Sequence, residues 1–461
     1  MSRTVETTAS QQATYDISSR IDRLPRLTRT HKIVVGVLAG LFIFDIMDLS
    51  SFGLVAPSIR EEWGLSLEQI GLISSTFFVG MFLGGLVGGR LADKFGRRPV
   101  LIVAVCVFSL FSILTGLAPT PELLAAARIG TGFAIQAATG AVLLYVSEFY
   151  PKPTRGRIMA LVLGTALFGG PIIAFFARAV VPIGGWRWVF IVGGLGIIIA
   201  LITFKLLPES PKWLAANGRH DDALKQVKAF EAAIEAGGHV LPSPEPRPTD
   251  EIVVSHSPLE LFRRPLIRRT LVGSGAFVCL ILLNYGFQLW SPTILVERGY
   301  DQASALTFAS VLSFANILGS FAALLLIDRI ERKILIACIA GLMGVFYLIV
   351  GFSGLIPVLL LLGFLAQGLG QTVSAVMYTF VPEMFPTPVR GIGAGLSNSM
   401  GRVAGIFSGI IITAIIAAFS LEGVFVYFAI VAALLGVIAL CGPWIGVRKA
   451  RLVVKAARAS K

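Results

Sequence analysis

Residues 148–156 read EFYPKPTRG and residues 383–391 read EMFPTPVRG, so the pattern Glu-x-x-Pro-x-x-x-Arg-Gly recurs at an offset of 235 positions. A second pair of segments shares that offset, DKFGRR at residues 93–98 and DRIERK at residues 328–333. Two separate matches at one offset indicate an internal duplication, in which each copy is a structural unit. The chain is therefore predicted to fold as two related halves.

Between these polar elements the chain is strongly apolar. Hydrophobic residues make up 55% of it and charged residues 14%, with a mean hydropathy of +0.82, whereas about a quarter of a soluble chain is charged. A membrane-spanning helix needs about 20 mostly apolar residues. We therefore predict an all-α membrane protein of twelve transmembrane helices, arranged as two pseudo-symmetric six-helix bundles. The twelve stretches, numbered here as spans 1–12, are about 33–56, 70–90, 99–118, 122–146, 157–180, 186–207, 268–291, 303–327, 334–352, 355–380, 389–418 and 422–446.

The net charge of +13 reflects membrane topology. A nucleic-acid-binding protein gathers its basic residues on one folded face, but here Lys and Arg flank the apolar runs, so no nucleic-acid partner is expected. Of the 39 Lys and Arg residues, 33 fall in segments on the side of the amino terminus and three in loops on the other side. The positive-inside rule then predicts that both termini are cytoplasmic. We expect a protein of the cell inner membrane, surrounded by lipid and functional as a monomer.

One long polar insert divides the spans. Its first part, Lys212 to Glu235, has helical composition, and its second part, Gly237 to Asp250, is rich in Pro and Gly and is typical of a flexible linker. The predicted organisation is a cytoplasmic tail, a six-helix bundle, a cytoplasmic linker with a helical segment, a second bundle and a second cytoplasmic tail, at 1–32, 33–207, 208–267, 268–446 and 447–461.

The sequence GRLADKFGRR at residues 89–98 closely resembles the signature loop between helices 2 and 3 of the major facilitator superfamily. PESPKWL at residues 208–214 and the two Glu-x-x-Pro-x-x-x-Arg-Gly elements resemble the branch of sugar porters, organic-ion transporters and bacterial organic-acid symporters. Asp45-Ile46-Met47-Asp48 is similar to the Asp-x-x-Asp element of aromatic acid:proton symporters and niacin-type transporters. Duplicated helical bundles of this type hold the substrate near the bilayer midplane, between the halves.

Ionisable side chains at membrane depth are costly, so they are candidates for function. Asp45 and Asp48 share one face of span 1. Asp48 lies nine residues before Pro57 and Arg128 seven residues after Pro121, so each is predicted ~10–13 Å from the outer end of its helix. A proton-coupling Asp48–Arg128 pair is therefore feasible, and the resemblance implies one. The alternative is a structural ion pair. Asp45 is a second coupling candidate, a substrate contact, or a polar residue that only bonds to neighbouring helices.

The predicted substrate site centres on Arg402 in span 11, which lies near the midplane with Asn398 one turn away on the same face. A guanidinium there can bind an anionic substrate through two hydrogen bonds, and the alternative for Arg402 is a structural role. Interhelical hydrogen bonding is the alternative for the other polar side chains that suit the cavity. These are Gln136 in span 4, Asn284, Tyr285 and Gln288 in span 7, and Gln367, Gln371 and Tyr378 in span 10.

The cytoplasmic ends of both halves carry matched acids and bases. In superfamily members such clusters close the inner side, so we predict a cytoplasmic gate. Position 331 is Glu where the first copy has Gly96, which puts the turn geometry of the second copy in doubt. The gate residues are Asp93, Arg97, Glu148 and Arg155 in the first half, and Asp328, Arg332, Glu383 and Arg390 in the second.

The residues favour transport over catalysis. There is no phosphate-binding loop, the four His lie outside the spans, and the four Cys are far apart, so no enzyme, metal site or cofactor is expected. The leading hypothesis is proton-coupled uptake of a small organic acid anion, such as an aromatic or pyridine carboxylate. Proton-driven efflux of drugs or organic ions, sugar or polyol transport, and a transporter-like sensor stay open.

Overall fold

The computed structural model describes residues 14–244, 258–353 and 355–444, and within these ranges it contains helices and no β-strand. The predicted all-α membrane fold is confirmed. Spans 1 to 4 are the helices Arg29–Trp63, Leu67–Phe95, Arg97–Leu117 and Pro121–Phe149. Span 5 consists of Lys152–Ala166 and Gly169–Gly184, and span 6 of Arg187–Ile191 and Gly196–Leu206, joined by the 3-10 turn Val192–Leu195. Spans 7 to 10 are Leu266–Glu297, Gln302–Leu326, Arg332–Phe352 and Ile356–Met384.

Spans 11 and 12 lie in one continuous helical segment, Arg390–Leu440, of 51 residues. A straight helix of that length would extend ~77 Å, far more than the ~30 Å of a bilayer core. The helical backbone is interrupted at Ser420, where φ is 70° and ψ is −177°. The segment therefore comprises two spans that meet at Ser420, which falls between the predicted stretches 389–418 and 422–446.

The helices of spans 1 and 7 continue through a proline, and in span 1 this differs from the sequence prediction, which placed the outer end at Pro57. Pro57 lies inside the helix Arg29–Trp63, and Pro292 lies inside Leu266–Glu297. Membrane helices tolerate proline because neighbouring helices and side chains satisfy the freed backbone groups. The predicted distance of Asp48 from the outer end of its helix is therefore wrong. The helix ends at Trp63, which lies ~22 Å from Asp48 at 1.5 Å per residue.

The loop between spans 2 and 3 depends on glycine. Gly96 has a φ of 101°, and a Cβ added there would lie 2.3 Å from Glu209 Oε2. The Glu209 carboxylate accepts hydrogen bonds from the backbone N–H groups of Arg97 at 3.0 Å and Arg98 at 3.2 Å, and so caps span 3. In the second copy, Glu331 has a φ of −60° and precedes span 9. The two turns therefore differ in backbone conformation, and the first accommodates the Glu209 carboxylate of the linker.

Part of the predicted amino-terminal tail is folded. Residues 14–22 form a helix whose Ile17 and Ile21 pack in a small buried cluster with residues of the linker helices. Arg20 and Arg23 both pair with Glu231 of the linker helix His220–Glu235. The predicted helical segment of the linker is present as Pro211–Ala216 and His220–Glu235. Residues 245–250 of the Pro-rich segment and the tail 447–461 lie outside the described residues.

We call the end of the bundle that carries the linker the linker face and the other end the opposite face. The two halves are in contact toward the opposite face, where a Cβ on Gly71 of span 2 would lie 3.0 Å from the Gly409 carbonyl oxygen of span 11. Toward the linker face, Gly89 of span 2 and Gly395 of span 11 have no atom within 4 Å of such a position. The halves therefore diverge, and the space between them opens at the linker face.

Polar contacts agree with this opening. Within the described spans, each hydrogen bond or ion pair between the halves lies at mid-depth or toward the opposite face. We call the three pairs nearest the opposite face the opposite-face contacts: Arg60–Glu297, Ser58–Gln302 and Arg178–Thr307.

Candidate functional site

The structure brings Asp48 and Arg128 together as an ion pair inside the first half. Arg128 Nη1 lies 2.7 Å from Asp48 Oδ2. Asp48 is 3% exposed and Arg128 2% exposed, so both charges are removed from solvent. A buried charge without its partner is costly, which makes this pair strongly interdependent. Its role in proton coupling stays a prediction.

Aromatic rings enclose the guanidinium of Arg128. Its Cζ lies 4.2 Å from the ring centroid of Phe77, 5.6 Å from that of Phe190 and 6.0 Å from that of Phe52. A cation over a ring face is attracted by the ring quadrupole, most strongly when desolvated. The rings of spans 1, 2 and 6 therefore help to stabilise the positive charge of Arg128, whose ion-pair partner among the described residues is Asp48.

Asp45 lies one turn from Asp48 and has a different environment. It is partly exposed, and its Oδ2 accepts a hydrogen bond of 3.3 Å from Thr139 Oγ1 of span 4. A cavity of ≈ 30 Å³ within the first half touches Asp45 and Thr139 and is otherwise lined by apolar residues and glycine. That volume suits two or three water molecules, at ~10–15 Å³ each. Asp45 is thus the more accessible of the two carboxyls.

Arg402 lies between the halves, as its predicted role requires. Its Nη1 is 3.4 Å from Tyr285 Oη of span 7 and 3.8 Å from Met81 Sδ of span 2. It also interacts electrostatically with Asp45 and Tyr378. Arg402 is therefore not an isolated charge, because a carboxylate of the other half faces it.

Two other predicted substrate residues surround Arg402. Asn398 interacts with Tyr378, and its Oδ1 is buried without a hydrogen-bond partner among the described residues. Tyr378 is 50% exposed, consistent with a position in the open space between the halves. The ring centroid of Tyr285 lies 5.3 Å from that of Phe78. The site thus contains one cation with aromatic rings beside it; its members are Arg402, Asn398, Tyr285 and Tyr378.

The remaining predicted polar residues of the second half largely bond to neighbouring helices. Gln367 is buried and donates to Asn316 Oδ1 at 2.9 Å and to Gln288 Oε1 at 3.3 Å. Asn284 donates to Ser374 at 2.7 Å. The structure therefore favours the interhelical alternative for Gln367 and Asn284.

The last three predicted polar residues occupy different environments. Gln371 donates to Ser320 of span 8 at 3.3 Å. Gln288 joins the halves through a donor contact of 3.4 Å to Ser50. Gln136 has a buried Oε1 without a partner among the described residues. The substrate-binding role of all three stays a prediction.

The predicted gate residues form equivalent pairs within each half. Arg97 Nη2 lies 2.6 Å from Glu148 Oε1 and 2.9 Å from Asp93 Oδ1, and Arg332 pairs with Glu383 at the same offset of 235 positions. These pairs join helices of one half and do not cross between the halves.

The other gate residues depart from the duplication. Arg155 pairs with Asp22 of the amino-terminal helix at 2.9 Å. Asp328 and Arg390 are exposed, and neither forms an ion pair with another described residue. Among the described residues the second gate cluster is therefore not assembled in full: Arg332 and Glu383 pair, and Asp328 and Arg390 do not join them. The gating role itself stays a prediction.

Sequence reasoning missed several residues of the site. Ser112 of span 3 donates to Asp48, and Phe77, Phe190, Phe78 and Met81 surround the two arginines. Serine, phenylalanine and methionine are ordinary in membrane helices, so only their spatial neighbours distinguish them.

Comparisons with known proteins agree with this architecture. A sequence model of the Major Facilitator Superfamily matches residues 38–346 and 307–459. The chain is 28% identical over 398 residues to the niacin transporter NiaP of Acinetobacter baylyi, covering 86% of this chain and 90% of that protein. It is 28% identical over 402 residues to the gallate transporter of Pseudomonas putida, covering 87% and 88% respectively. Its fold is similar to the crystal structure of a D-xylose-proton symporter, with a TM-score of 0.70, 17% identity and coverage of 88% and 96%.

The duplicated helical halves, the apolar spans and the matched sequence model lead to one conclusion. The chain is a multi-pass membrane transporter rather than an enzyme, and it belongs to the Major Facilitator Superfamily.

Proposed function

We propose that the protein is a secondary active transporter that takes up a small organic acid anion together with protons by alternating access. The observation that carries the proposal is the buried Asp48–Arg128 ion pair, with 2.7 Å between Arg128 Nη1 and Asp48 Oδ2. Arginine stays charged at any accessible pH. The variable member of the pair is therefore the carboxyl, which can hold a proton in one state and pair with Arg128 in the other.

Arg402 supports an anionic substrate. A carboxylate can accept two parallel hydrogen bonds from a guanidinium, and the rings of Tyr285, Phe78 and Tyr378 around Arg402 suit a planar aromatic substrate. The relatives named as niacin and gallate transporters fit the same chemistry. We therefore propose an aromatic or pyridine carboxylate as the substrate class.

Sidedness follows from the distribution of basic residues. We propose that the linker face is cytoplasmic, with both termini inside and the protein in the inner membrane, so that the structure corresponds to an inward-open state. In this state Asp48 is paired with Arg128, as expected after the proton has been released. The opposite-face contacts then close the site to the outside.

Uptake into proteoliposomes tests the proposal. An inward proton gradient should drive accumulation of labelled nicotinate above the level in protein-free liposomes, and Asp48→Asn should abolish accumulation while exchange continues. Asp45→Asn is the matched comparison, since it neutralises the neighbouring carboxyl on the same helix. Accumulation by Asp48→Asn at the wild-type level would show that coupling lies elsewhere.

Arg402→Ala tests the substrate site separately. Loss of a charge-assisted bond worth ~1.5–3 kcal/mol should weaken nicotinate binding about ten- to a hundredfold. Unchanged affinity would remove Arg402 from the site. A wild-type protein that binds xylose or a cationic drug but no carboxylate would favour sugar transport or efflux instead.

A further inference from the structure

The hydroxyl group of Ser112 has two acceptors and one proton. Ser112, in span 3, is fully buried. Its Oγ lies 3.2 Å from Asp48 Oδ1 and 2.8 Å from the backbone carbonyl oxygen of Phe190 in span 6. A serine hydroxyl donates one hydrogen bond and accepts up to two. Ser112 can therefore donate fully to only one of these two oxygens at a time.

The protonation state of Asp48 decides which oxygen receives that proton. An ionised carboxylate only accepts, so Ser112 donates to it in a charge-assisted bond. A protonated Asp48 has an O–H of its own, which can donate to Ser112 Oγ and leave the Ser112 proton to the Phe190 carbonyl. Every polar atom keeps a partner in both arrangements, as buried groups require.

We propose that Ser112 is a positioning residue for proton coupling, and that its hydroxyl turns from Asp48 to the Phe190 carbonyl when Asp48 becomes protonated. This inference rests on the proposed coupling at Asp48 and extends it to span 6. Protonation of Asp48 in span 1 would thereby strengthen the hydrogen bond from Ser112 in span 3 to the Phe190 carbonyl in span 6.

Span 6 is suited to respond to such a change. Phe190 lies in the short helix Arg187–Ile191, two residues before the 3-10 turn Val192–Leu195, where the helix is irregular. A Cβ on Gly193 in that turn would lie 2.2 Å from Ser112 Oγ, so the glycine is what allows the close approach. The ring of Phe190 also faces Arg128. One residue of span 6 thus contacts the Asp48–Arg128 pair by its ring and Ser112 by its backbone.

Few other charges face Asp48. Span 4 contributes Arg128, and span 1 itself contributes Asp45, which in turn interacts with Arg402 of span 11. Spans 2 and 6 contribute the rings of Phe77 and Phe190 to the pair. Ser112 is the described side chain besides Arg128 that donates a hydrogen bond to Asp48.

The test is an infrared titration of the purified full-length protein in lipid nanodiscs. The protonated carboxyl band that is lost in Asp48→Asn is followed against pH in wild type, Ser112→Ala and Ser112→Cys. Because the bond to the ionised form is the stronger one, its loss should move the titration midpoint upward by about one pH unit in Ser112→Ala. Ser112→Cys, a weaker donor, should give a smaller upward shift.

Ser109→Ala is the matched control. Ser109 lies one turn away on span 3, is equally buried, and its Oγ has no hydrogen-bond partner among the described residues. Its loss should leave the midpoint unchanged. A Ser112→Ala midpoint no higher than that of Ser109→Ala would overturn the inference alone. A wild-type protein without a titrating band assignable to Asp48 would overturn the proposed coupling, and this inference with it.

Discussion

The ion pair between Arg60 and Glu297 holds the two halves together at the opposite face, and its loss should shift the balance between conformations. Arg60 lies in the last turn of span 1 and Glu297 ends span 7, so the pair exists only when the halves meet there. Glu297→Gln removes the charge and keeps the size of the side chain. We expect this variant to populate the conformation open at the opposite face more often than wild type.

The exposure of the two side chains sets the magnitude. Arg60 is 33% exposed and Glu297 25% exposed, so solvent screens the pair. Pairs of this kind contribute about 0.2–1 kcal/mol, and 1 kcal/mol corresponds to about a fivefold change in the ratio of two states. Ser58–Gln302 and Arg178–Thr307 remain in the variant. The expected result is therefore a shift of up to about fivefold rather than a complete switch.

Distances between spin labels measure that ratio. Glu68→Cys and Ala303→Cys place labels at exposed positions of the two halves on the opposite face, in a protein whose four native cysteines are replaced. Glu61→Gln is the control, because Glu61 is an exposed neighbour of Arg60 that forms no ion pair with a described residue. If Glu297→Gln populates the longer distance no more than Glu61→Gln does, the Arg60–Glu297 pair does not hold the halves together at the opposite face.

Three further predictions follow from local geometry. Gly96→Ala should lower the thermal unfolding midpoint more than Gly89→Ala, because only the first strains a φ of 101° and crowds the Glu209 carboxylate; equal midpoints would contradict this. Gly53→Val should lengthen the spin-label distance at the opposite face, since a Cβ there lies 2.5 Å from a carbonyl oxygen of span 7, and an unchanged distance would argue against it. Burial lowers the pKa of the Lys212 amine to about 8 in the folded protein. In the unfolded chain the same amine keeps its proton up to about pH 10.4. The free energy of unfolding of the wild type should therefore rise between these two pH values. Lys212→Met should therefore raise the unfolding midpoint at pH 7, with a gain that shrinks toward pH 10, and a pH-independent difference would disprove the assignment.

The duplication could be predicted from sequence because the polar residues at the helix ends recur in both halves. Arg97 and Glu148 pair in the first half, and Arg332 and Glu383 repeat that pair in the second. Charged residues are few in a membrane chain and confined to its interfaces, so their spacing carries topological information. The pairing of Asp48 with Arg128 was also predictable, because ionisable residues at membrane depth are rare and usually pair with one another.

Other features depend on contacts that no local pattern reveals. Pro57 suggested a helix end, but span 1 continues to Trp63 because its surroundings satisfy the backbone. The helix at 14–22 is short, and it docks through tertiary contacts: Glu231 of the linker helix, a small buried apolar cluster, and Arg155 of span 5, which pairs with Asp22. Ser112 could not be recognised, because one of its two acceptors is a backbone carbonyl of a different span.

The central claim is that the carboxyl of Asp48 exchanges a proton during transport, and the ratio of protons to substrate crossing the membrane tests it most directly. The measurement uses proteoliposomes with a trapped pH indicator and labelled nicotinate, with protein-free liposomes as the blank. Wild-type protein should move protons in a fixed ratio to nicotinate. Asp48→Asn should exchange nicotinate without moving protons, and proton movement at the wild-type ratio in that variant would show that Asp48 does not carry the proton.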